Sequence, residues 1–248
     1  VGNEAGMPRG GRRLDLLATL RAAAPWQRLR SAERPVGADP TMLLVRGSDL
    51  RVRRLAQRVG TTMMVAVDAS GSAAAQRLGE AKGAVELLLA ESYVRRDQVA
   101  LVSFRGKAAE LILPPTRSLA RAKRTLAGLP GGGGTPLAAA LSALVELGCK
   151  VRRDGGRPLG VMLTDGRANV ALDGTGGRPR AEAEARRAAR QVAAAGIPLL
   201  ILDTGARPNP ALQEIARLAD ADYLPLPNAR ADRVRDAVRA TSDRRPAA

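Results

Sequence analysis

Five oxygen-bearing side chains carry the chemistry that this sequence can offer. Val67-Asp68-Ala69-Ser70-Gly71-Ser72 places one carboxylate and two hydroxyls on a short stretch that follows an apolar run. Alternate positions of a tight loop point to the same side, so Asp68, Ser70 and Ser72 are expected to converge, with Gly71 letting the backbone turn between the serines. Thr135 follows a run of four glycines and precedes Pro136, which puts a third hydroxyl on a flexible loop at a helix start. Asp165, in Leu163-Thr164-Asp165-Gly166, ends a second apolar run. Two carboxylates and three hydroxyls are hard oxygen donors, a set that suits Mg²⁺, with Mn²⁺ or Ca²⁺ as substitutes. Each piece also has a structural role when read singly. A Ser after a strand caps a helix, and Asp-Gly makes a turn. Their occurrence together, in this order, points to a metal site at Asp68, Ser70, Ser72, Thr135 and Asp165.

Composition removes the competing chemistries. The chain has no histidine and a single cysteine, Cys149, so zinc sites, Ser-His and Cys-His machinery and disulfide scaffolds are excluded together. No G-x-x-x-x-G-K-[ST] phosphate loop occurs, since the glycine run leads into Thr135-Pro136 rather than Lys, and no ATP binding is expected. A metal-dependent hydrolase would need a base or a second carboxylate cluster, and neither is visible. The longest apolar runs fall far short of the roughly 20 residues of a membrane helix. With no apolar signal core after a basic start, a cytoplasmic location is expected. Val1 in place of Met suggests a trimmed fragment.

The elements that must position these residues alternate between strand and helix. Strands are expected over 61–67, 98–104, 110–113, 159–164, 197–202 and 223–226. Helices are expected over 73–92, 118–127, 136–147, 181–195, 210–219 and 229–240, the first from the spacing of Leu78, Ala81, Val85, Leu88 and Leu89. This order gives an α/β, Rossmann-like fold: a mainly parallel sheet with helices on both faces and one antiparallel edge strand, 110–113, reached through a turn at 105–107 too short for a crossover. In such sheets the site lies at the carboxyl ends of the strands, where Asp68 and Asp165 fall. The expected domain spans 61–240, preceded by a basic linker and extension over 1–60 and followed by a tail over 241–248. Within the extension, 1–13 reads as a linker, 14–24 as a helix ended by Pro25, 33–40 as loop, and 41–59 as an extended segment that docks on the edge of the domain.

The net charge of +16 comes from 40 basic residues, of which 36 are Arg. Uniform Arg usage beside abundant Ala and Gly is what a GC-rich genome would write. Aromatics are 2% of the chain and scattered, so the stacking platforms of nucleic-acid binders are missing. A basic surface that receives an acidic protein partner fits better. Residues 1–60 hold 12 basic and 5 acidic side chains, and Arg51, Arg53, Arg54 and Arg58 are the expected contacts.

The ordered set Asp68, Ser70, Ser72, Thr135, Asp165 resembles, without a substitution, the metal-ion-dependent adhesion site of von Willebrand factor A, or integrin I, domains. That resemblance implies that the serines and threonine coordinate a divalent cation, that the aspartates bind largely through its waters, and that one position is left for an acidic side chain of a partner. Further blocks resemble the carboxy-terminal part of the magnesium chelatase D subunit family. They are Thr19-Leu20-Arg21-Ala22-Ala23-Ala24-Pro25-Trp26-Gln27, Glu80-Ala81-Lys82-Gly83-Ala84-Val85-Glu86, Phe104-Arg105-Gly106, Leu113-Pro114-Pro115-Thr116-Arg117-Ser118-Leu119, Gly133-Gly134-Thr135-Pro136-Leu137-Ala138 and Leu163-Thr164-Asp165-Gly166-Arg167-Ala168-Asn169. The resemblance implies a docking domain that supports ATP-dependent insertion of Mg²⁺ into protoporphyrin IX for chlorophyll and bacteriochlorophyll synthesis. The implied partners are an AAA+ ATPase I subunit and a porphyrin-binding H subunit, and this segment has no catalytic residues of its own. A cobaltochelatase-type subunit and a free-standing metal-dependent adhesion domain are the alternatives.

Overall fold

The computed structural model describes residues 2–8, 13–35, 37, 39, 41–54, 60–70, 89–90, 92–95, 97–226 and 231–243, without the side chains of Arg54 and Ala231. Ser72, Arg58 and most of the expected helix over 73–92 lie outside these residues; at its end, 89–90 and 92–95 are helical. The chain divides into two compact units, Val1–Arg58 and Val59–Ala248. Among the described residues no helix is long and apolar enough to cross a membrane.

In the first unit, strand β1 (Gly2–Ala5) pairs antiparallel with β2 (Arg51–Arg54). The expected linker over 1–13 is corrected by this pairing, and the segment 41–59 contributes a strand to its own unit. Helix α1 (Leu16–Ala23) starts where Asp15 accepts the Ala18 N–H at 3.0 Å, the usual use of a short carboxylate at an N-cap. Pro25 does not end the helical path. It sits at the start of a 3₁₀ turn, Ala24–Trp26, where its missing N–H is not needed, and the chain runs on into α2 (Gln27–Arg30). The loop that follows is tied back by two side chains. Gln27 exchanges hydrogen bonds with both main-chain groups of Leu44, at 3.0 and 2.8 Å. Arg30 forms a two-pronged pair with Asp49, at 2.5 and 3.1 Å, with both side chains buried.

Asp49 also accepts the Arg46 N–H at 2.8 Å. The Arg30 hydrogen bonds, with this one second, hold its carboxyl down at about 2 against an ordinary 3.8. A carboxylate depressed on folding contributes stability that is complete above its unfolded value and is lost as pH falls through its folded one. The unit is therefore expected to loosen between pH 4 and 2, and Asp49→Asn to flatten that transition while lowering stability at pH 7. Fluorescence of Trp26, the single tryptophan of the chain, reads this unit in an acid titration.

The second unit is built on a six-stranded sheet in the order β5-β4-β3-β6-β7-β8. Its strands are β3 (Thr61–Asp68), β4 (Gln98–Arg105), β5 (Ala108–Thr116), β6 (Arg157–Thr164), β7 (Leu199–Asp203) and β8 (Asp222–Pro225). All pairs are parallel except β4–β5, joined by a tight turn with Gly106 at φ +62°. β5 is the antiparallel edge strand, and it runs through Pro114-Pro115 because an edge has one side free of ladder hydrogen bonds. Helices α3 (Leu119–Ala127), α4 (Leu137–Arg153), α5 (Arg178–Ala194), α6 (Pro210–Leu218) and α7 (Ala231–Asp243) cover the two faces. Met64, Ala66, Val102 and Met162 pack into one core with α4, α5 and α6. Met63, Val65, Val67 and Val161 pack into the other with α3 and α7. Strands buried on both faces read as continuous apolar runs, which is why β3 and β6 are visible in the sequence. α4 outlasts its expected end at 147, because Val151 is buried one turn further. Lys150, Arg152 and Arg153 in its last turn complement the negative helix end.

Candidate metal centre

β3 and β6 are neighbours in parallel register, with Val67 opposite Leu163. Asp68 therefore ends its strand beside Thr164, and Asp165 follows on the next position. Asp68 is gripped on both oxygens. One accepts the Ser70 N–H at 3.0 Å and the other the Thr164 hydroxyl at 2.7 Å. Burial pushes the Asp68 carboxyl above its ordinary value, the Ser70 and Thr164 hydrogen bonds oppose that, and the charge of Asp165 adds to it.

Thr135 is brought in from the far side of the site. Its hydroxyl lies 2.6 Å from that of Ser70, although the two residues are 65 positions apart. The sequence suggests a flexible glycine run before it, but the structure pins that run. Gly132 donates to the Ala69 carbonyl at 2.8 Å. Gly133, at φ +92°, lies against the β4–β5 turn, where a Cβ would stand 2.9 Å from the Gly106 Cα. Thr135 itself is 3% exposed. Gly133→Ala is expected to destabilise the chain by about 1–3 kcal/mol, through backbone strain plus a contact that backbone cannot relieve. Gly132→Ala, at φ +115° in open space, should cost less, and thermal melting of the two variants measures the difference.

Four of the five residues expected at the site, Asp68, Ser70, Thr135 and Asp165, thus fall at the carboxyl ends of β3 and β6 and on the loop before α4; Ser72 lies outside the described residues. Asp165 has a neighbour at the rim, the exposed Arg167, whose Nε is 3.6 Å from its Oδ2. Sequence reasoning missed Thr164, Asn169 and Asn209. Asn169 Oδ1 accepts the Thr135 N–H at 2.7 Å, and Asn209 Nδ2 donates to the Asp165 carbonyl at 2.8 Å. Their roles depend on loops distant in sequence, and no spacing signal announces them. Among the described residues no group of three or more His, Cys, Asp or Glu could hold a metal ion. A cation here would rest on hydroxyls and two carboxylates. The donor chemistry fits: facing hydroxyls offer lone pairs, and two like charges at one point favour a counterion.

Residues 63–168 match a von Willebrand factor type A domain, and residues 4–55 match an AAPxQ domain. The latter stretch contains Ala23-Ala24-Pro25-Trp26-Gln27, whose Gln27 makes the paired bonds to Leu44. The chain is 52% identical over 224 residues to the magnesium-chelatase 60 kDa subunit of Cereibacter sphaeroides, covering 90% of this chain and 40% of that protein. It is 48% identical over 246 residues to the 60 kDa subunit of Rhodobacter capsulatus, covering 96% and 44%. With the 67 kDa subunit of Chlorobaculum tepidum it shares 41% identity over 241 residues, covering 90% and 38%. The chain spans about two fifths of the length of these relatives. Among solved structures, BatB from Bacteroides thetaiotaomicron aligns with a TM-score of 0.55 at 22% identity, over 74% of this chain and 96% of that one. The SpRpn10 VWA domain aligns with a TM-score of 0.52 at 13% identity, over 72% and 94%; both likenesses concern the fold alone. The chain belongs to the family of magnesium-chelatase 60 and 67 kDa subunits and carries a von Willebrand factor type A domain.

Proposed function

We propose that the chain is a Mg²⁺-dependent docking module of a magnesium chelatase, supporting ATP-driven insertion of substrate Mg²⁺ into protoporphyrin IX. The observation that carries this reading is the meeting of Ser70 and Thr135 hydroxyls beside Asp68 and Asp165, in a chain so similar to chelatase subunits. A bound divalent cation would supply an electrophilic centre with an oxygen position left for an acidic side chain of a partner. Asp68, Ser70, Ser72, Thr135 and Asp165 would hold it. Asp68 and Asp165 carry two negative charges, few enough to leave such a centre wanting one more.

The partners we assign are an AAA+ ATPase I subunit and a porphyrin-binding H subunit, which sets the module in the cytoplasm, where ATP is supplied. Insertion must take two protons from the pyrrole nitrogens. With no histidine in the chain and with the site carboxylates committed to the cation, we assign that step to another subunit. The basic first unit adds a second contact in this scheme, through Arg51 and Arg53 on β2 toward an acidic partner face. In a direct test, the chain is mixed with separately purified I and H subunits in Mg²⁺ or in EDTA. Complex formation is expected in Mg²⁺ and lost in EDTA. Equal binding in both would end the metal-dependent docking reading.

A further inference from the structure

We propose that Asn169 is the residue that positions Thr135, so that the two loops of the metal centre are set by one side chain that is not itself a ligand. This assignment rests on the metal reading above and extends it to a residue outside the ligand set. Thr135 has two main-chain polar groups, and Asn169 reaches both, sharing the carbonyl with the Leu137 N–H, which donates to it at 3.0 Å. Asn169 Oδ1 accepts the Thr135 N–H at 2.7 Å, and the Asn169 N–H donates to the Thr135 carbonyl at 3.3 Å. The arrangement resembles one rung of a β-ladder, with half of it supplied by a side chain. Asn169 is anchored in turn, because its carbonyl accepts the Gly177 N–H at 3.0 Å, just before α5.

The neighbours make room for this contact. A Cβ at Gly134 would stand 2.9 Å from Asn169 Oδ1 and 2.4 Å from Val170 Cγ2, so the absence of a side chain at 134 lets the Asp165 loop close on the glycine run. Thr135 can meet Ser70 at 2.6 Å only while its backbone is held at this height. Asn169 is four residues beyond Asp165 on the same loop. A shift of the Asp165 loop is therefore passed to Thr135 through a hydrogen-bonded pair rather than through the core. An alanine at 169 would leave the N–H of the buried Thr135 without its acceptor.

Groups that orient metal ligands typically cost about 10–100-fold in metal affinity when removed. Calorimetric titration of the chain with Mg²⁺ is expected to show a loss of that size in Asn169→Ala. Asn169→Asp keeps the acceptor and is expected to bind at least as tightly as the parent. Because Asn169 acts through Thr135, the double variant Thr135→Ala with Asn169→Ala should bind no more weakly than Thr135→Ala alone. Additive losses, or unaltered affinity in Asn169→Ala, would overturn the assignment and leave the metal site standing. If Asn169→Ala fails to fold, Asn169→Asp decides: a tenfold loss in that variant would overturn it too. A parent chain that binds no Mg²⁺ would instead remove the metal site, and this assignment with it.

Discussion

Asp68→Ala is expected to abolish Mg²⁺ binding and to leave the sheet folded. Its carboxylate is one of the two at the site, and it sits at the very end of β3, so its loss opens no cavity in either core. What it loses is specific: the Thr164 hydroxyl and the Ser70 N–H each lose an acceptor. Removing one of two facing carboxylates also relieves the repulsion that helps to hold the Asp68 carboxyl up, so metal-free melting is expected to change little. The contrast appears when Mg²⁺ is added. A ligand that binds the native state alone at a hundredfold excess over its Kd stabilises it by about 2.7 kcal/mol. At roughly 2–4 °C per kcal/mol for a domain of 150–250 residues, the parent should gain about 5–11 °C. The variant should gain nothing. Undiminished Mg²⁺ affinity in Asp68→Ala would take the carboxylate at the end of β3 out of the site.

The sheet was legible because its central strands are buried on both faces. Continuous runs such as Met63–Val67 can be nothing else once helical spacing surrounds them, and those of β3, β6 and β7 end in a hydrogen-bonded Asp68, Thr164 or Asp203. The hairpin of β4 and β5 was legible from its short turn. β1 was not, since Gly2-Asn3-Glu4-Ala5 shows no alternation and becomes a strand only by pairing with residues about fifty positions away. Pro25 misled for a related reason: a proline stops a helix from its interior but starts a turn without cost, and the sequence does not say which position it will occupy. At the candidate site, residue types and order placed Asp68, Ser70, Thr135 and Asp165 together. Of the groups that hold them, Thr164 acts between the ends of neighbouring strands, and Asn169 and Asn209 act across loops whose approach is set by the whole sheet. Hydrogen bonds between distant loops leave no periodic trace in a sequence.

Thr135→Ala and Asp165→Ala are expected to lower chelatase activity by weakening assembly, with ATP hydrolysis by the isolated I subunit unaltered. Both residues are proposed cation holders, and neither lies in a core. Losing one charge-assisted contact costs about 1.5–3 kcal/mol, or roughly a tenfold to hundredfold weaker complex. The path from the site to the rest of the domain begins at Thr135. Pro136 follows it, and α4 starts at Leu137, with Leu137, Ala138, Ala140 and Leu141 all buried against the sheet. A helix packed along one face moves as a unit, so a displacement of the Thr135 loop on partner binding would shift α4 as a rod rather than bend it. α5 packs on α4 through Ala181, Ala185, Ala188 and Ala189, and these small side chains allow sliding with little repacking. Partner affinity measured with purified I and H subunits, beside metal insertion in the reconstituted enzyme, separates the two roles that the site could have. A docking site predicts that both fall together, and that high subunit concentrations restore insertion. Variants that bind both partners normally and still fail to insert Mg²⁺ would assign Thr135 and Asp165 to the insertion step itself.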